Sequence, residues 1–379
     1  MRIVILGAGP AGLYLAYLIK RRQPGADVTV IEQNSASATF GFGVVFSDRA
    51  LEFLREDDAE TYAAVAPQLQ SWSDMTLVHR NERVTVDGIG FAAIGRLRLL
   101  QLLQAQARAV GATLEFGRTA GAPDDLGEAD LVVGADGVNS LVRRTFADAF
   151  GATVTYLSNR FAWFGTSKAF DTLTQTFRHT PIGDFNAHHY RYAPGRSTFI
   201  VETNEETFVR AGFERMADAE TRGLCEKIFA DALGGHPLIS NNSVWRQFPI
   251  VRNARWSHGK YVLLGDAAHT AHFSIGSGTR LAMEDAIALD KAIAAQPRDV
   301  AAALAAYEAA RRPVLDKLVA GANGSAQWYE HFAEHMELAP VELAMSYIRR
   351  SGRVDLGRLR KLSPKFVARY ESELPHGGS

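Results

Sequence analysis

Cysteine is almost missing from this chain: among 379 residues only Cys225 carries a thiol. That excludes an internal disulfide and a cysteine-built metal centre, and no metal site is expected. Cys225 itself reads as a small core residue in a helical stretch at 224–229 rather than as a nucleophile. Long apolar runs are missing as well, none approaching the roughly 18 residues that a membrane-crossing helix requires. Neither sign of charge is in excess: 41 basic and 42 acidic residues leave a formal net charge of −1. This gives no basis for binding nucleic acid or for a polybasic membrane contact. There is no internal repeat and no low-complexity tract beyond a short end at 375–379. Met1 runs directly into a strand pattern, so no cleaved leader is expected and a cytoplasmic location is. What remains is 47% hydrophobic residues, enough to bury a large core in two domains.

The most informative stretch is Gly7-Ala8-Gly9-Pro10-Ala11-Gly12, directly behind the apolar run Ile3-Val4-Ile5-Leu6. It has the form of a dinucleotide-binding turn between a buried strand and a helix N-terminus. Gly7 permits the sharp turn, Gly9 lets the backbone approach a pyrophosphate, and Gly12 lets the helix pack closely on the strand. Free N–H groups and the positive end of the helix dipole then face the phosphates. A second apolar strand, Val28-Thr29-Val30-Ile31, ends at Glu32, roughly 20 residues further on, where an acid accepts hydrogen bonds from an adenosine ribose.

Residues 1–34 thus read as strand, helix, strand, with Leu13, Ala16, Tyr17 and Ile19 on the apolar face of the helix. A glycine-marked stretch at 40–46, which includes Gly43, precedes a helical segment expected at 47–55. Alternation at 75–79 and 83–86 predicts strands within 72–94. Arg96 heads a helix to 110, with Leu99, Leu100, Leu103 and Ala107 at helical spacing, and short strands follow at 113–116 and 129–133. From about 153 to 250 the pattern changes to strands (161–166, 188–192, 197–202) interrupted by a helix at 217–233. This predicts an antiparallel sheet with one helical layer. A buried strand at 260–264 returns to the first pattern, and the chain is mostly helical from 279, including an Ala-rich helix at 299–310.

Two further motifs stand at strand ends. Val132-Val133-Gly134-Ala135-Asp136-Gly137 carries an Asp-Gly pair. Gly265-Asp266-Ala267-Ala268-His269 precedes a glycine-bearing loop, Ile275-Gly276-Ser277-Gly278, and a helix from Thr279. Either alone could be a simple turn. In this order and over this span, with the first motif, they resemble the single-component flavoprotein aromatic hydroxylases, the group A monooxygenases with the para-hydroxybenzoate hydroxylase fold. The resemblance covers nearly the whole chain. It implies an α/β fold: an FAD-binding Rossmann-like (GR2-type) domain with an inserted antiparallel-sheet substrate domain and C-terminal helices. The FAD domain would comprise 1–71, 95–152 and 251–325, the substrate domain 72–94 and 153–250, and the terminal helices 326–379.

The same resemblance implies roles for particular residues. Gly7, Gly9, Pro10, Ala11 and Gly12 would face the pyrophosphate, Glu32 the adenosine ribose and Asp266 the ribityl side of the flavin. Arg96, at the head of an Arg-x-x-Leu-x-x-x-Leu pattern with Leu99 and Leu103, would reach the ribityl-pyrophosphate region. Asp136 and Gly137 would belong to a motif shared between FAD and NAD(P)H, with Gly43 also at the flavin. Gly276, Gly278 and Thr279 would present backbone N–H groups to the N1–C2 edge of the reduced, anionic flavin. One departure narrows the match: where most of the family has two prolines, this chain has His272-Phe273. That variant, with Leu281-Ala282-Met283-Glu284-Asp285-Ala286, Trp163-Phe164-Gly165-Thr166-Ser167 and Thr198-Phe199-Ile200-Val201-Glu202, resembles the branch acting on salicylyl-CoA and anthraniloyl-CoA. It also resembles that branch's relative in violacein biosynthesis. The extra C-terminal domain of the anthraniloyl-CoA enzyme has no counterpart here, so the chain is either a standalone hydroxylase or a trimmed flavin unit.

The resemblance implies FAD as cofactor, with NADPH or NADH and O2 as co-substrates. A flavin C4a-hydroperoxide would then deliver oxygen to an electron-rich ring. The substrate would be a small aromatic compound, such as salicylyl-CoA or 2-aminobenzoyl-CoA, bound by a monomer or homodimer. A free indolic or aromatic acid, and reduction of an alkene, are the alternatives. A halogenase is disfavoured because its tryptophan-rich signature is missing, and a non-catalytic flavin protein because the motif set is intact. Catalytic candidates are His272, beside the flavin, and His188 and Tyr190, on a strand whose alternation sends one of His188 and His189 toward the flavin and the other outward. Phe161, Trp163, Phe177, Phe185, Trp245 and Phe248 either line an aromatic pocket or form ordinary core. Arg178, Arg191 and Arg196 are candidates for CoA phosphates without a motif to support them.

Overall fold

The computed structural model describes residues 1–47, 51–352 and 354–373. The strands run, in chain order, β1 (Arg2–Leu6), β2 (Asp27–Glu32), β3 (Gly43–Ser47), β4 (Gln70–Trp72), β5 (Met75–His79) and β6 (Glu82–Val86). They continue as β7 (Phe91–Gly95), β8 (Thr113–Phe116), β9 (Leu131–Gly134), β10 (Ala152–Thr166), β11 (Leu173–Thr180) and β12 (Gly183–Ala193). The last are β13 (Arg196–Thr203), β14 (Leu238–Ile239), β15 (Arg246–Asn253), β16 (Ser257–His258) and β17 (Tyr261–Leu263).

The first sheet has the order β16-β17-β9-β1-β2-β8 and is parallel except at its β16 edge. Its central strands are buried on both faces, which is why they read as continuous apolar runs rather than as alternation. β1 lies between β2 and β9, so the chain order reverses there, and ligands bind at such a point outside the carboxyl ends of the strands. The first helix, Pro10–Arg22, starts with proline at a position that needs no N–H donor. It is buried at every residue from Ala11 to Ile19, not only along the stripe of Leu13, Ala16, Tyr17 and Ile19. The sheet covers one side, and the helices Gly278–Ala295 and Arg96–Ala109 pack against the others. Full burial of side chains such as Leu13, Leu15 and Ile19 stabilises by about 1.5–3 kcal/mol each.

The second sheet has the order β14-β10-β13-β12-β11-β5-β6, with β15 also on β10. It is antiparallel apart from one parallel pair, β5 on β11. One face packs under the helices Glu205–Ala211 and Asp218–Ile228, where Cys225 is fully buried beside Phe199 and Phe229. The other face is covered by the end of a 31-residue helix, Val300–Glu330, and by the helix Pro340–Arg349. A small third sheet, β3-β7-β4, lies beside β12.

The strand patterns locate most elements but shorten several. β10, β12 and β13 extend beyond 161–166, 188–192 and 197–202, and β11 and β15 carry no expectation from the sequence. The helix expected at 47–55 needs correction. Ser47 ends β3, paired with Phe91, and the helix is Glu52–Asp57; residues 48–50 lie outside the described ones. Ser47 joins a strand because the β-branched and aromatic run Val44-Val45-Phe46 finds a partner in β7.

Candidate active site

The three glycine and aspartate loops emerge side by side from adjacent strands. Leu6 at the end of β1 is opposite Ile31 and Gly134, and Gly134 is opposite Leu263. Backbone hydrogen bonds cross between these ends: Gly7 N–H to Ile31 O (2.8 Å), Ala135 N–H to Leu6 O (2.8 Å) and Leu264 N–H to Gly134 O (2.9 Å). The glycines in and around them divide into two kinds. Gly7 has φ +100°, and a Cβ there would lie 2.4 Å from Ala135 O; one on Gly12 would lie 2.1 Å from Gly7 O. The fold itself needs those two. A Cβ on Gly9 would meet only Ala135 O, at 4.0 Å, and one on Gly137 or Gly278 would meet nothing within 4 Å. Those three line open space, although the left-handed φ of +74° at Gly137 also makes glycine a need of the fold there. Gly276 (φ +60°) packs on Val45 O, and Gly43 on the Tyr192 side chain, so both serve the fold.

Polar groups converge on that space. Glu32 accepts from Ala8 N–H (3.0 Å) and from the backbone and side-chain amides of Asn34 (2.8 and 2.7 Å), which fixes it against the first loop. A carboxylate offers about four acceptor directions, so capacity remains for a hydroxyl. Asp136 accepts from Leu141 N–H (2.6 Å), while its Oδ1 is enclosed with no partner, and burial raises its pKa. Asp266 keeps an exposed side chain while protein surrounds it on all sides, the mark of a residue lining a cleft. Burial raises its pKa, opposed by His269 and by Arg96. Arg96 faces Asp266 from the start of its helix, where its backbone N–H bonds Phe42 O (2.8 Å). Among the described residues its guanidinium has no hydrogen-bond partner. Burial lowers its pKa, with Asp266 and Tyr190 acting against that.

Two helix N-termini point into the same region. Gly9 and Ser277 begin the helices Pro10–Arg22 and Gly278–Ala295 without side-chain caps and with no acidic residue in the first turn, which at the second includes Thr279. Elsewhere Asp58, Ser140, Asn204, Asp299 and Asp355 cap their helices through side chains. Uncapped first turns leave N–H donors for an anion. The Gly-Asp loop is buttressed from behind. Asp285 accepts from Arg311 Nε (2.6 Å) and Gly265 N–H (3.2 Å) and lies 2.7 Å from His269 Nε2; Arg311 also pairs with Glu284 (2.8 Å). Burial pushes Asp285 up, but its contacts with His269 and Arg311 outweigh this and hold its carboxyl below the usual range. Sequence reasoning missed this buttress. Asp285 stood in a quoted motif, but only the fold brings His269 and Arg311 to it.

On the second sheet, alternation places Asn186, His188, Tyr190 and Tyr192 of β12 on the face toward the first domain. Glu202, Ile200 and Thr198 of β13 and Gln175 and Phe177 of β11 are opposite them. His188 lies 5.5 Å from the Phe273 ring and, as expected, faces the glycine loop. His189 does not point outward: it stacks on Phe199 (4.9 Å) and bonds Thr176 inside the opposite core, because that face is covered by helices. Tyr190 donates its O–H to Gly43 O (2.9 Å), tying the sheet to β3. His272 sits among Phe248, Phe273 and Tyr329, with Nδ1 2.8 Å from Ser274 Oγ. Burial first, then neighbouring charge, pushes His188 and His272 down to about 3, so both are neutral in the physiological range.

The same face holds a row that the sequence did not single out. Asn186, Glu202, Gln175 and Asn159 are all buried, and each has at least one enclosed polar atom without a partner. Glu202 accepts from Asn159 (2.9 Å), and burial pushes its pKa up to about 8. The aromatic candidates separate clearly. Phe161 and Phe248 gather around Phe273 and His272, and Trp163 packs against Gly41. Phe177, Phe185 and Trp245 are core. Arg178 pairs with Asp231, and the Arg191 Nε is enclosed without a partner.

These residues fit a flavin nucleotide: free N–H donors, an unpartnered Arg96, an unpartnered carboxylate oxygen on Asp136, and glycines whose absent side chains leave room. Comparison with known proteins agrees. The chain matches the model of the FAD binding domain over residues 103–322 and that of an NAD(P)-binding Rossmann-like domain over 5–40. It is 42% identical to salicyloyl-CoA 5-hydroxylase of a Streptomyces species, over 98% of this chain and 73% of that one. It is 38% identical to 3-hydroxy-4-methyl-anthranilyl-[aryl-carrier protein] 5-monooxygenase of Streptosporangium sibiricum, over 87% of this chain and 89% of that one. A crystal structure of 2-methyl-3-hydroxypyridine-5-carboxylic acid oxygenase shares the fold, with TM-score 0.73 and 19% identity over 97% of this chain and 98% of that one. Among the described residues no helix is long and apolar enough to cross a membrane, and no group of three or more His, Cys, Asp or Glu could hold a metal. The chain belongs to the FAD-dependent aromatic monooxygenases, a family in which NAD(P)H and O2 are the co-substrates.

Proposed function

We propose that this enzyme hydroxylates an aromatic acyl thioester, a salicyl or 2-aminobenzoyl group carried on coenzyme A, at the ring position para to the hydroxyl or amino group. The observation that carries this reading is the character of the sheet face opposite the glycine loop. It presents Asn186, His188, Tyr190, Gln175 and Glu202, with both His188 and His272 neutral and no Lys or Arg on those strand positions. Such a surface suits a ring with hydrogen-bonding substituents; the nearby Arg350 guanidinium is already engaged by Ser325 Oγ, Tyr347 O and Ser274 O, so no strand of this face offers a free carboxylate a cation of its own. Two relatives whose names specify carrier-linked aromatic acyl groups, both acted on at position 5, support the same class.

In this reading FAD is held by segments 1–71, 95–152 and 251–325, and the substrate by 72–94 and 153–250, with 326–379 closing the face. Gly7, Gly9, Pro10, Ala11 and Gly12 take the pyrophosphate, Glu32 the adenosine ribose, and Arg96, Asp136, Gly137 and Asp266 the ribityl-phosphate stretch. Gly278 and Thr279 offer N–H groups to the flavin ring, beside the Gly43 strand, whereas the Gly276 N–H, expected to do the same, is spent on Phe273 O (2.9 Å) because Gly276 closes the turn before it. The flavin, when reduced, supplies the oxygen-activating chemistry. The protein then orients the ring, excludes water through Phe161, Phe248 and Phe273, and holds the activating substituent by hydrogen bonds from His272 and His188. Tyr190 holds the sheet against β3 rather than moving a proton. The cytoplasm, where coenzyme A thioesters are made and used, is the compartment this substrate implies.

The test is NAD(P)H consumption and product mass with salicyloyl-CoA, 2-aminobenzoyl-CoA and the matching free acids. Oxygen-dependent gain of one oxygen atom on the thioesters is expected. Preferential turnover of a free aromatic or indolic acid, or anaerobic reduction of an alkene, would overturn the reading.

A further inference from the structure

Arg350, just beyond the helix Pro340–Arg349, reaches back toward the glycine loop. Its guanidinium lies 3.7 Å from the centre of the Tyr347 ring and donates from Nε to Ser325 Oγ (2.9 Å) and from an NH2 group to Ser274 O (2.8 Å). Ser325, fully buried in the Val300–Glu330 helix, places its Oγ 2.7 Å from Ser274 Oγ. Ser274 Oγ in turn is 2.8 Å from His272 Nδ1. The direction of this chain follows from its two ends. A guanidinium has donors and no acceptor, so Ser325 Oγ receives from Arg350, and among the described residues Ser274 Oγ is the acceptor in reach of its single proton. Ser274 then turns its own proton to His272 Nδ1, toward which the Ser274 backbone N–H also points (3.4 Å). Nδ1 is therefore the acceptor nitrogen, and the ring proton of a neutral imidazole resides on Nε2. Among the described residues Nε2 has no protein partner.

We propose that Arg350, Ser325 and Ser274 are positioning residues that lock His272 in its Nε2–H tautomer. The site then presents one fixed N–H donor to an acceptor oxygen of the substrate, its ring hydroxyl or acyl carbonyl. This rests on the aromatic-hydroxylase reading for the identity of the acceptor, but not for the tautomer. The device also gives the C-terminal helices a part in the site: they deliver the cation that sets the direction of the chain.

The experiment is long-range proton–nitrogen NMR on FAD-loaded enzyme carrying nitrogen-labelled histidine, with His272 assigned by its loss in His272→Gln. A single Nε2–H tautomer is expected in the wild type, a mixture in Ser325→Ala, and restoration in Ser325→Thr, which keeps the hydroxyl. Alongside, Ser325→Ala is expected to raise KM for the aromatic thioester by about tenfold, as for one lost hydrogen bond, with kcat changed less. Ser274→Ala provides an independent break in the chain if Ser325→Ala does not accumulate. An Nδ1–H tautomer in the wild type, or an unchanged tautomer in both alanine variants, overturns the proposal. Because the tautomer is read without substrate, failure of the thioester reading and failure of this one are separable.

Discussion

The two halves of this molecule build their sites by opposite means. In the nucleotide half, three short loops leave neighbouring parallel strands at one edge, and in the proposed reading backbone groups do most of the binding. Gly9 and Gly278 contribute chiefly by lacking side chains, and Gly137 also by its left-handed turn at φ +74°. In the substrate half, no loop carries a motif. The face is assembled from every second residue of three long strands and closed by residues from about position 325 onward. Backbone recognition leaves a local pattern of residue types, whereas recognition by side chains across a sheet leaves only alternation. In the proposed reading the first half is therefore tied to one cofactor, and the second to the substrate.

The largest effect expected is on the nucleotide half. Gly12→Val places a side chain against Gly7 O, where even a Cβ lies at 2.1 Å, and should abolish both folding of the first domain and flavin content. A folded, flavin-loaded variant would break the distinction between glycines required by the fold and those required by the ligand. Next is the buttress behind the Gly-Asp loop. Arg311→Met leaves Asp285 buried without its cation and should cost about 3–5 kcal/mol in urea unfolding. A loss below roughly 1 kcal/mol would show the pair to behave like an exposed one.

The substrate half should respond to pH instead. Glu202 has its folded pKa raised by burial to about 8. Its contribution is complete below the unfolded value near 4.5 and is lost as pH rises through the folded one. Glu202→Gln should remove that alkaline loss, so the variant's stability between pH 5 and about 9 should fall less than the wild type's. Equal slopes would contradict it. His188 and His272 act at the other end. With folded values near 3, they lower stability as pH drops below the ordinary histidine value, because only the unfolded chain takes up their protons. The smallest effect concerns Tyr190. Tyr190→Phe removes one hydrogen bond to Gly43 O and should cost about 1 kcal/mol of stability. Hydroxylation should fall by far less than the roughly 100-fold or more that follows loss of a general acid or base.

The same contrast explains what the sequence disclosed. Gly7, Gly12 and Glu32 announced a strand–turn–helix unit because each answers a local steric or hydrogen-bonding demand. The Asp-Gly and Gly-Asp pairs could be placed because each closes an apolar run. The eight-stranded sheet was visible only in part: β11, with its Thr-rich sequence, and β15 lack clean alternation. Alternation points one of His188 and His189 outward, since it cannot reveal the second covering layer that buries His189. Glu202 stood in view, yet a carboxyl that burial keeps protonated looks like any other acid. Arg350 and Ser325 lie far along the chain from His272, and only the packing of the last helices brings them to it.

The central claim is that the open space at Gly278 belongs to a flavin and not to the protein. It is tested most directly by purifying wild type and Gly278→Leu, incubating each with FAD, removing free cofactor, and measuring bound flavin absorbance beside the thermal unfolding curve. Stoichiometric flavin in the wild type, with a colourless variant that unfolds as cooperatively as the wild-type apoprotein, is the predicted result. Equal flavin in both proteins would contradict the account.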